Sequence, residues 1–332
     1  MAGDRPGEFQ LIKRYFAPLA QDPGSLGLTD DACVFSPDPG TDLVLTKDVL
    51  AADVHFFGTD PAEAIAAKAL RVNLSDLAAK GARAKGYLLG LALPADWTTN
   101  WLERFCNGLA ADQATYSVSL YGGDTIRSGN GLEISITAIG EVPSGRAVRR
   151  SGARPGDVLF VSGTIGDGAA GLKLRLNPRL AGRTGLSTDE GDHLLDRYLL
   201  PRPRTSLASA VQDHASAALD VSDGLFQDAR HLCQASNVGF EIDCELLPVS
   251  SAVERIRNRA PDLYASCVNG GDDYEILACV PVSQCDAFEA SARNADCPVT
   301  RIGHAVAEPG ALKLVNSGSL ATSAEGGGFK HF

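Results

Sequence analysis

Apolar positions change period several times along this chain, and each change marks an element. In Ala66–Ala82, Leu70, Leu74 and Leu77 recur at i, i+4 and i+7, which predicts a helix with one buried stripe. Ala67, Ala78 and Gly81 widen the stripe with very small side chains, so a neighbour must pack closely there. Asn73, Asp76 and Lys80 share the flank of this helix, and Pro61 suits its start. Asp42–Asp48 reads as a strand ending on an acidic turn, after a short apolar strand through Cys33, Val34 and Phe35 that follows Asp30-Asp31. Gly86–Pro94 is a buried strand, and Asp96 or Thr99 is placed to cap a helix through Ala111. Tyr116–Tyr121 alternates as a strand and stops at Gly122-Gly-Asp-Thr125, and Leu132–Ile139 alternates again.

Pro143–Gly156 collects Pro, Gly, Ser and four arginines, and is the boundary signal. The expected domains are therefore 1–145 and 146–332. Beyond the boundary come strands at Asp157–Ser162, Ala217–Val221, Gly239–Asp243, Ile276–Val280, Val299–His304 and Leu312–Val315. Helices fall between them, with a loose segment at Asn177–Thr188. Strands partly adjacent and partly separated by helices predict an α+β fold of two α/β-type domains, with mixed or antiparallel sheets covered by helices.

The chain has 332 residues, 44% of them hydrophobic and 21% charged, a globular composition long enough for two domains. Its net charge of −11 argues against nucleic acid as a partner. No apolar run approaches the roughly 20 residues that span a bilayer, so no membrane partner is expected. The polar start, Met1–Glu8, lacks the apolar core of a signal peptide. With no Cys-x-x-Cys among eight cysteines, reduced thiols in a cytoplasmic protein are the expectation.

The P-loop, serine-hydrolase and zincin patterns are absent. Gly166-Asp-Gly-Ala-Ala-Gly171 fits the dinucleotide fingerprint, but no acid stands at a second strand tip about 20 residues on; a tightly packed turn into a helix is the better reading. The chemistry lies in scattered aspartates. Asp30-Asp31, Asp48, Asp76, Asp124, Asp220 and Asp223 fall at predicted strand–turn junctions or on a helix flank, several beside glycine. Glycine lets backbone N–H groups approach a phosphate, and aspartate is a hard oxygen ligand for Mg²⁺. Each Mg²⁺ takes only one or two carboxylates, so converging aspartates imply several ions around a polyphosphate.

Thr29-Asp-Asp-Ala32, Thr46-Lys-Asp48, His55-Phe56, Asn73-Leu-Ser-Asp76, Gly122-Gly-Asp-Thr125, Arg150–Asp157, Asp220-Val-Ser-Asp-Gly224, Gly270-Gly-Asp-Asp-Tyr-Glu275 and Phe329-Lys-His-Phe332 together resemble the thiamine-monophosphate kinase family, in order and over nearly the whole chain. The resemblance implies the aminoimidazole-ribonucleotide-synthetase-like fold and a homodimer whose N-terminal sheets join into a barrel. It also implies an N-terminal domain for metal, ATP and dimerisation. It implies Mg²⁺ ligation by Asp31, Thr46, Asp48, Asp76, Asp124, Asp220 and Asp223, and ATP contacts from Gly123, Asp124, Arg150 and Ser222. Contacts with thiamine monophosphate are implied for His55, Asp272 and Phe329. This chain departs from the common family pattern at Thr29 (commonly Gly), at Lys47 (commonly a hydroxyl residue) and at Asp272 (commonly Glu).

The expected reaction is transfer of the γ-phosphoryl group of ATP, the co-substrate, to thiamine monophosphate, giving the diphosphate. The acceptor is already ionised near neutral pH, since a phosphate monoester's second pKa is about 6. No general base is therefore expected; the barrier is electrostatic, and positioning with charge neutralisation lowers it. The alternatives are another ATP-using enzyme of the superfamily, or a non-catalytic protein that binds ATP and Mg²⁺. Selenophosphate synthetase would carry a reactive cysteine in an N-terminal Gly-rich loop, and a hydrogenase-maturation member would end in cysteine; neither matches here.

Overall fold

The computed structural model describes residues 6–325, with side chains through residue 321. Phe329 lies outside the described residues. The chain divides into two compact units: one runs through Leu77 and resumes over Arg83–Gly145, the other comprises Ala78–Ala82 and the chain from Arg146 onward.

The first unit holds strands β1 (Thr41–Ala51), β2 (Arg83–Leu93), β3 (Ser119–Arg127) and β4 (Glu133–Pro143) in the order β1-β4-β2-β3. The β1/β4 and β2/β4 pairs are antiparallel; β2/β3 is parallel, with the Thr99–Tyr116 helix as its crossover. Alternation settles the faces. Tyr87, Leu89, Leu91 and Leu93 of β2 and Ile134, Ile136 and Ala138 of β4 are buried on one side. Two helices belong to that side, Ala62–Ala79 and Thr99–Tyr116, the second capped by Thr98. They cross closely at Gly108, where a β-carbon would lie 2.6 Å from the Glu63 carbonyl oxygen. The opposite face leaves Leu43, Leu45, Val49 and Ile126 exposed.

Three expectations change. Lys47-Asp48-Val49 continues β1 instead of turning, paired with Thr137, Ile136 and Ser135 of β4. Gly122-Gly-Asp-Thr125 likewise continues β3, paired with β2 from Leu88 to Leu91. Asp48 and Asp124 thus sit within strands, the neighbour's ladder outweighing the turn preference of Gly and Asp. Cys33–Phe35 forms no strand; Val34 makes one backbone bond to Gly24, and Phe35 packs edge-on against Tyr121.

The second unit holds strands β5 (Val158–Ser162), β6 (Ala217–Val221), β7 (Gly239–Asp243), β8 (Glu275–Val280), β9 (Val299–Val306) and β10 (Leu312–Val315), in the order β10-β7-β9-β5-β8-β6. The β10/β7 pair is parallel and the other pairs antiparallel. The apolar runs of β5, β6 and β8 reflect burial on both faces. Leu159, Val161, Leu219, Val221 and Leu277 enter one core; Phe160, Ala218, Ile276, Ala278 and Val280 enter the other. The loose segment at Asn177–Thr188 contains a short helix, Leu180–Thr184, before the Thr188–Leu199 helix with its Ser187/Glu190 capping box. Val221 pairs with Glu275, so Ser222–Gly224 and Asn269–Tyr274 leave the same end of the sheet.

Candidate active site

In the first unit, Thr46 and Asp48 leave β1 on the helix-covered side and meet Asn73 and Asp76. The Thr46 hydroxyl donates to Asp76 Oδ2 at 2.5 Å, and the Asp48 backbone N–H donates to Asn73 Oδ1 at 3.1 Å. Asn73 is fully buried and anchors its own amide on the Ala69 carbonyl oxygen. It registers β1 against the helix, a role hidden in the sequence because a polar residue on a helix flank reads as solvated. Burial raises the Asp48 carboxyl to about 6, and the neighbouring Asp76 charge adds to the shift. The trio offers only carboxylate and hydroxyl oxygens, the donors a hard cation such as Mg²⁺ prefers, and a cation there would remove the carboxylate repulsion. These residues fit the ion.

The other N-terminal candidates sit on other segments of the unit. Asp31 is exposed in the irregular stretch before β1, its N–H on Asp30 Oδ1 at 2.7 Å. Asp124 is exposed and pairs with Gly90, so it leaves the sheet on the open face, as Lys47 does. Lys47 therefore points away from the Thr46–Asp76 bond. Beside Asp124, Gly123 lies so close to β2 that a β-carbon would fall 1.9 Å from the Leu89 carbonyl oxygen. His55 is half-buried; its Nδ1 accepts the Ala51 N–H at 3.1 Å, so in the neutral ring the proton resides on Nε2.

In the second unit, Asp220 is buried near the end of β6, and the Ser222-Asp-Gly turn follows. Asp228, unmarked in the sequence analysis, organises this turn. One of its carboxylate oxygens accepts the N–H groups of Ser222 and Asp223 at 3.1 and 3.0 Å. Burial pushes its pKa up to about 7; the two N–H donors oppose the rise and the Asp223 charge adds to it. Ligand atoms of Asp223, Asp228 and His231 lie within 4.8 Å of one another. The available signal was an acid in the first turn of the helix after Ser-Asp-Gly, which reads as a dipole partner when it in fact reaches back to the loop. Arg150 is exposed, and its carbonyl oxygen accepts the Ser236 hydroxyl at 2.8 Å.

Asp272 and its neighbours form a loop stitched to that turn. The Asp272 N–H donates to the Ser222 carbonyl at 3.0 Å, and the Tyr274 N–H to Val221 at 2.8 Å. Asp273 and Glu275 are fully buried between the half-buried Asp272 and Tyr274. Asp273 accepts the N–H groups of Gly166 and Gly168 at 2.7 and 3.0 Å. The dinucleotide-like glycines thus give their amides to the protein's own carboxylate, and Gly171 sits against the Leu194 carbonyl oxygen, so this motif is a packed turn.

Known proteins fit this geometry. A family model described as AIR synthase related protein, N-terminal domain, matches residues 29–142, and its C-terminal counterpart matches residues 154–314. The fold is therefore that of the AIR-synthase-related class. A thiamine-monophosphate kinase of Caulobacter vibrioides is 42% identical over 305 residues, covering 91% of this chain and 84% of the relative. The crystal structure of thiamine-monophosphate kinase from Stenotrophomonas maltophilia K279a superposes with a TM-score of 0.82 at 38% identity, covering 93% of this chain and 96% of that one. AaThiL complexed with AMPPCP and TMP superposes with a TM-score of 0.75 at 33% identity, covering 91% of each chain. The chain belongs to the thiamine-monophosphate kinase family and is an enzyme. Among the described residues no helix is long and apolar enough to cross a membrane, and none of the eight cysteines is in a disulfide.

Proposed function

We propose that this enzyme transfers the γ-phosphoryl group of ATP directly, in line, onto the phosphate of thiamine monophosphate, and that Mg²⁺ ions held by its aspartates are required. The observation that carries the reading is the hydrogen bonding of the Ser222 turn to the Asp272 loop. The family resemblance assigns ATP contact to the first and acceptor contact to the second. Transfer between two phosphates needs donor-side and acceptor-side groups in fixed register, and these two backbone bonds supply it.

Thr46, Asp48 and Asp76 would hold Mg²⁺ in the first unit, and Asp220 with Asp223 in the second. Bound there, the ions would neutralise phosphate charge and so let two anions approach. Asp31 and Asp124 belong to the proposed ligand set, and Asp124 leaves the sheet on the face opposite the trio. Asp124 is on an edge strand and on the open face, where a second copy of the chain would reach it. We therefore read the exposed Leu43, Leu45, Val49 and Ile126 as the homodimer face. The N-terminal domain, 1–145, then serves metal, ATP and dimerisation, and 146–332 is the second α/β domain. Arg150 supplies fixed positive charge to the nucleotide, with Gly123, Asp124 and Ser222 as further contacts. Acceptor contacts are assigned to His55, Asp272 and Phe329 by the resemblance alone. The aspartates hold metal and carry no protons, because the acceptor phosphate is already ionised.

Incubation with ATP, Mg²⁺ and thiamine monophosphate tests the reading: thiamine diphosphate should form in step with ADP. ATP binding with no diphosphate would overturn it in favour of a non-catalytic nucleotide binder.

A further inference from the structure

The backbone of the acceptor-side loop is unusual. Asp272 and Tyr274 both have positive φ, 75° and 53°, a conformation disfavoured for residues with a β-carbon. Two such residues within three positions persist only where the surroundings over-determine them, and strain of this kind marks functional loops.

The surroundings do so from three sides. The Asp273 carboxylate is bound to the Gly166 and Gly168 N–H groups, and its carbonyl oxygen accepts Arg197 Nη2 at 3.0 Å. Glu275 accepts that same guanidinium at 3.0 Å, the Arg204 guanidinium, and the Ser162 hydroxyl at 2.6 Å. Gly168 leaves no room for a side chain, since a β-carbon there would lie 2.3 Å from the Asp272 carbonyl oxygen. Asp273 and Glu275 are thus engaged in fixing the loop, and Asp272 and Tyr274 alternate with them on its half-buried side. Within that pair the Tyr274 hydroxyl donates to Asp272 Oδ1 at 3.2 Å.

We propose that Tyr274 is a positioning residue for the acceptor: its hydroxyl fixes one oxygen of the Asp272 carboxylate and aims the other at thiamine monophosphate. The inference rests on the acceptor role given to Asp272 above. Aspartate is short, so its useful reach depends on one rotamer, and the tyrosine selects that rotamer through its hydrogen bond to Oδ1.

Tyr274→Phe removes the hydroxyl and keeps the ring. The expected result is a KM for thiamine monophosphate raised about tenfold, with kcat, the KM for ATP and the melting temperature each nearly unchanged. In an Asp272→Asn background the same substitution should add less than twofold, because the tyrosine acts through the carboxylate. An unchanged KM in Tyr274→Phe, or a fall in melting temperature with kcat and both KM values worsening together, would overturn the inference. So would full additivity with Asp272→Asn. Wild-type enzyme that converts no thiamine monophosphate would instead overturn the parent reading, and this inference with it.

Discussion

Glu275→Gln is the perturbation whose consequence can be worked furthest. Glu275 is fully buried and accepts from Arg197, from two nitrogens of Arg204 and from Ser162. Glutamine keeps the shape, removes the charge, and turns one acceptor oxygen into a donor facing a guanidinium. The Arg197 side chain is only 3% exposed, so its charge has no access to water as a substitute partner; Arg204 is 21% exposed and recovers some hydration. Removing one partner of a buried ion pair costs about 3–5 kcal/mol, and the partial exposure of Arg204 places the expected loss near about 3 kcal/mol. At about 1.4 kcal/mol per factor of ten, opening of this region should become roughly 10²-fold more frequent. Amide hydrogen exchange of β8, β5 and the Thr188–Leu199 helix reads that opening locally. Protection that stays within threefold of wild type would refute the claim that Glu275 and its two arginines hold the Asp272 loop.

Three other predictions follow from the same structure. Asp76→Asn removes a proposed metal carboxylate and the partner of the Thr46 hydroxyl, so turnover should fall by orders of magnitude while circular dichroism is retained; wild-type-like activity at limiting Mg²⁺ would contradict the role. Burial raises Asp273 from the ordinary 3.8 to about 8, so the folded state holds its proton more tightly than the unfolded state. Its contribution to stability is then present below about pH 4 and is lost as pH rises to about 8. Urea midpoints of Asp273→Asn should fall less steeply across that window than those of wild type, and parallel slopes would count against it. Leu45→Arg on the open sheet face should convert a dimer to a monomer by analytical ultracentrifugation, and an unchanged sedimentation coefficient would count against that face as the interface.

The sequence made the long helix legible because Leu70, Leu74 and Leu77 keep helical period, and made β5, β6 and β8 legible because burial on both faces demands unbroken apolar runs. It concealed the strand character of Asp48 and Asp124. Glycine and aspartate are turn residues by local preference, and only pairing with Ile136 and Gly90, far along the chain, overrides that preference. Strand alternation sends Asp48 and Asp124 to opposite faces of the sheet. The network behind the Asp272 loop is equally hidden. Asp273 and Glu275 read as solvated charges because their partners, Gly166, Arg197, Arg204 and Ser162, lie 71 to 113 positions away. Asp228 escaped notice for a local reason, since a first-turn acid has an adequate explanation without any loop to hold.

The most direct test of the account is the fate of γ-labelled phosphate. Purified enzyme with Mg²⁺, thiamine monophosphate and γ-labelled ATP should place the label in the terminal phosphate of thiamine diphosphate, one for each ADP formed. Label recovered only as inorganic phosphate, or retained in ATP, would contradict it.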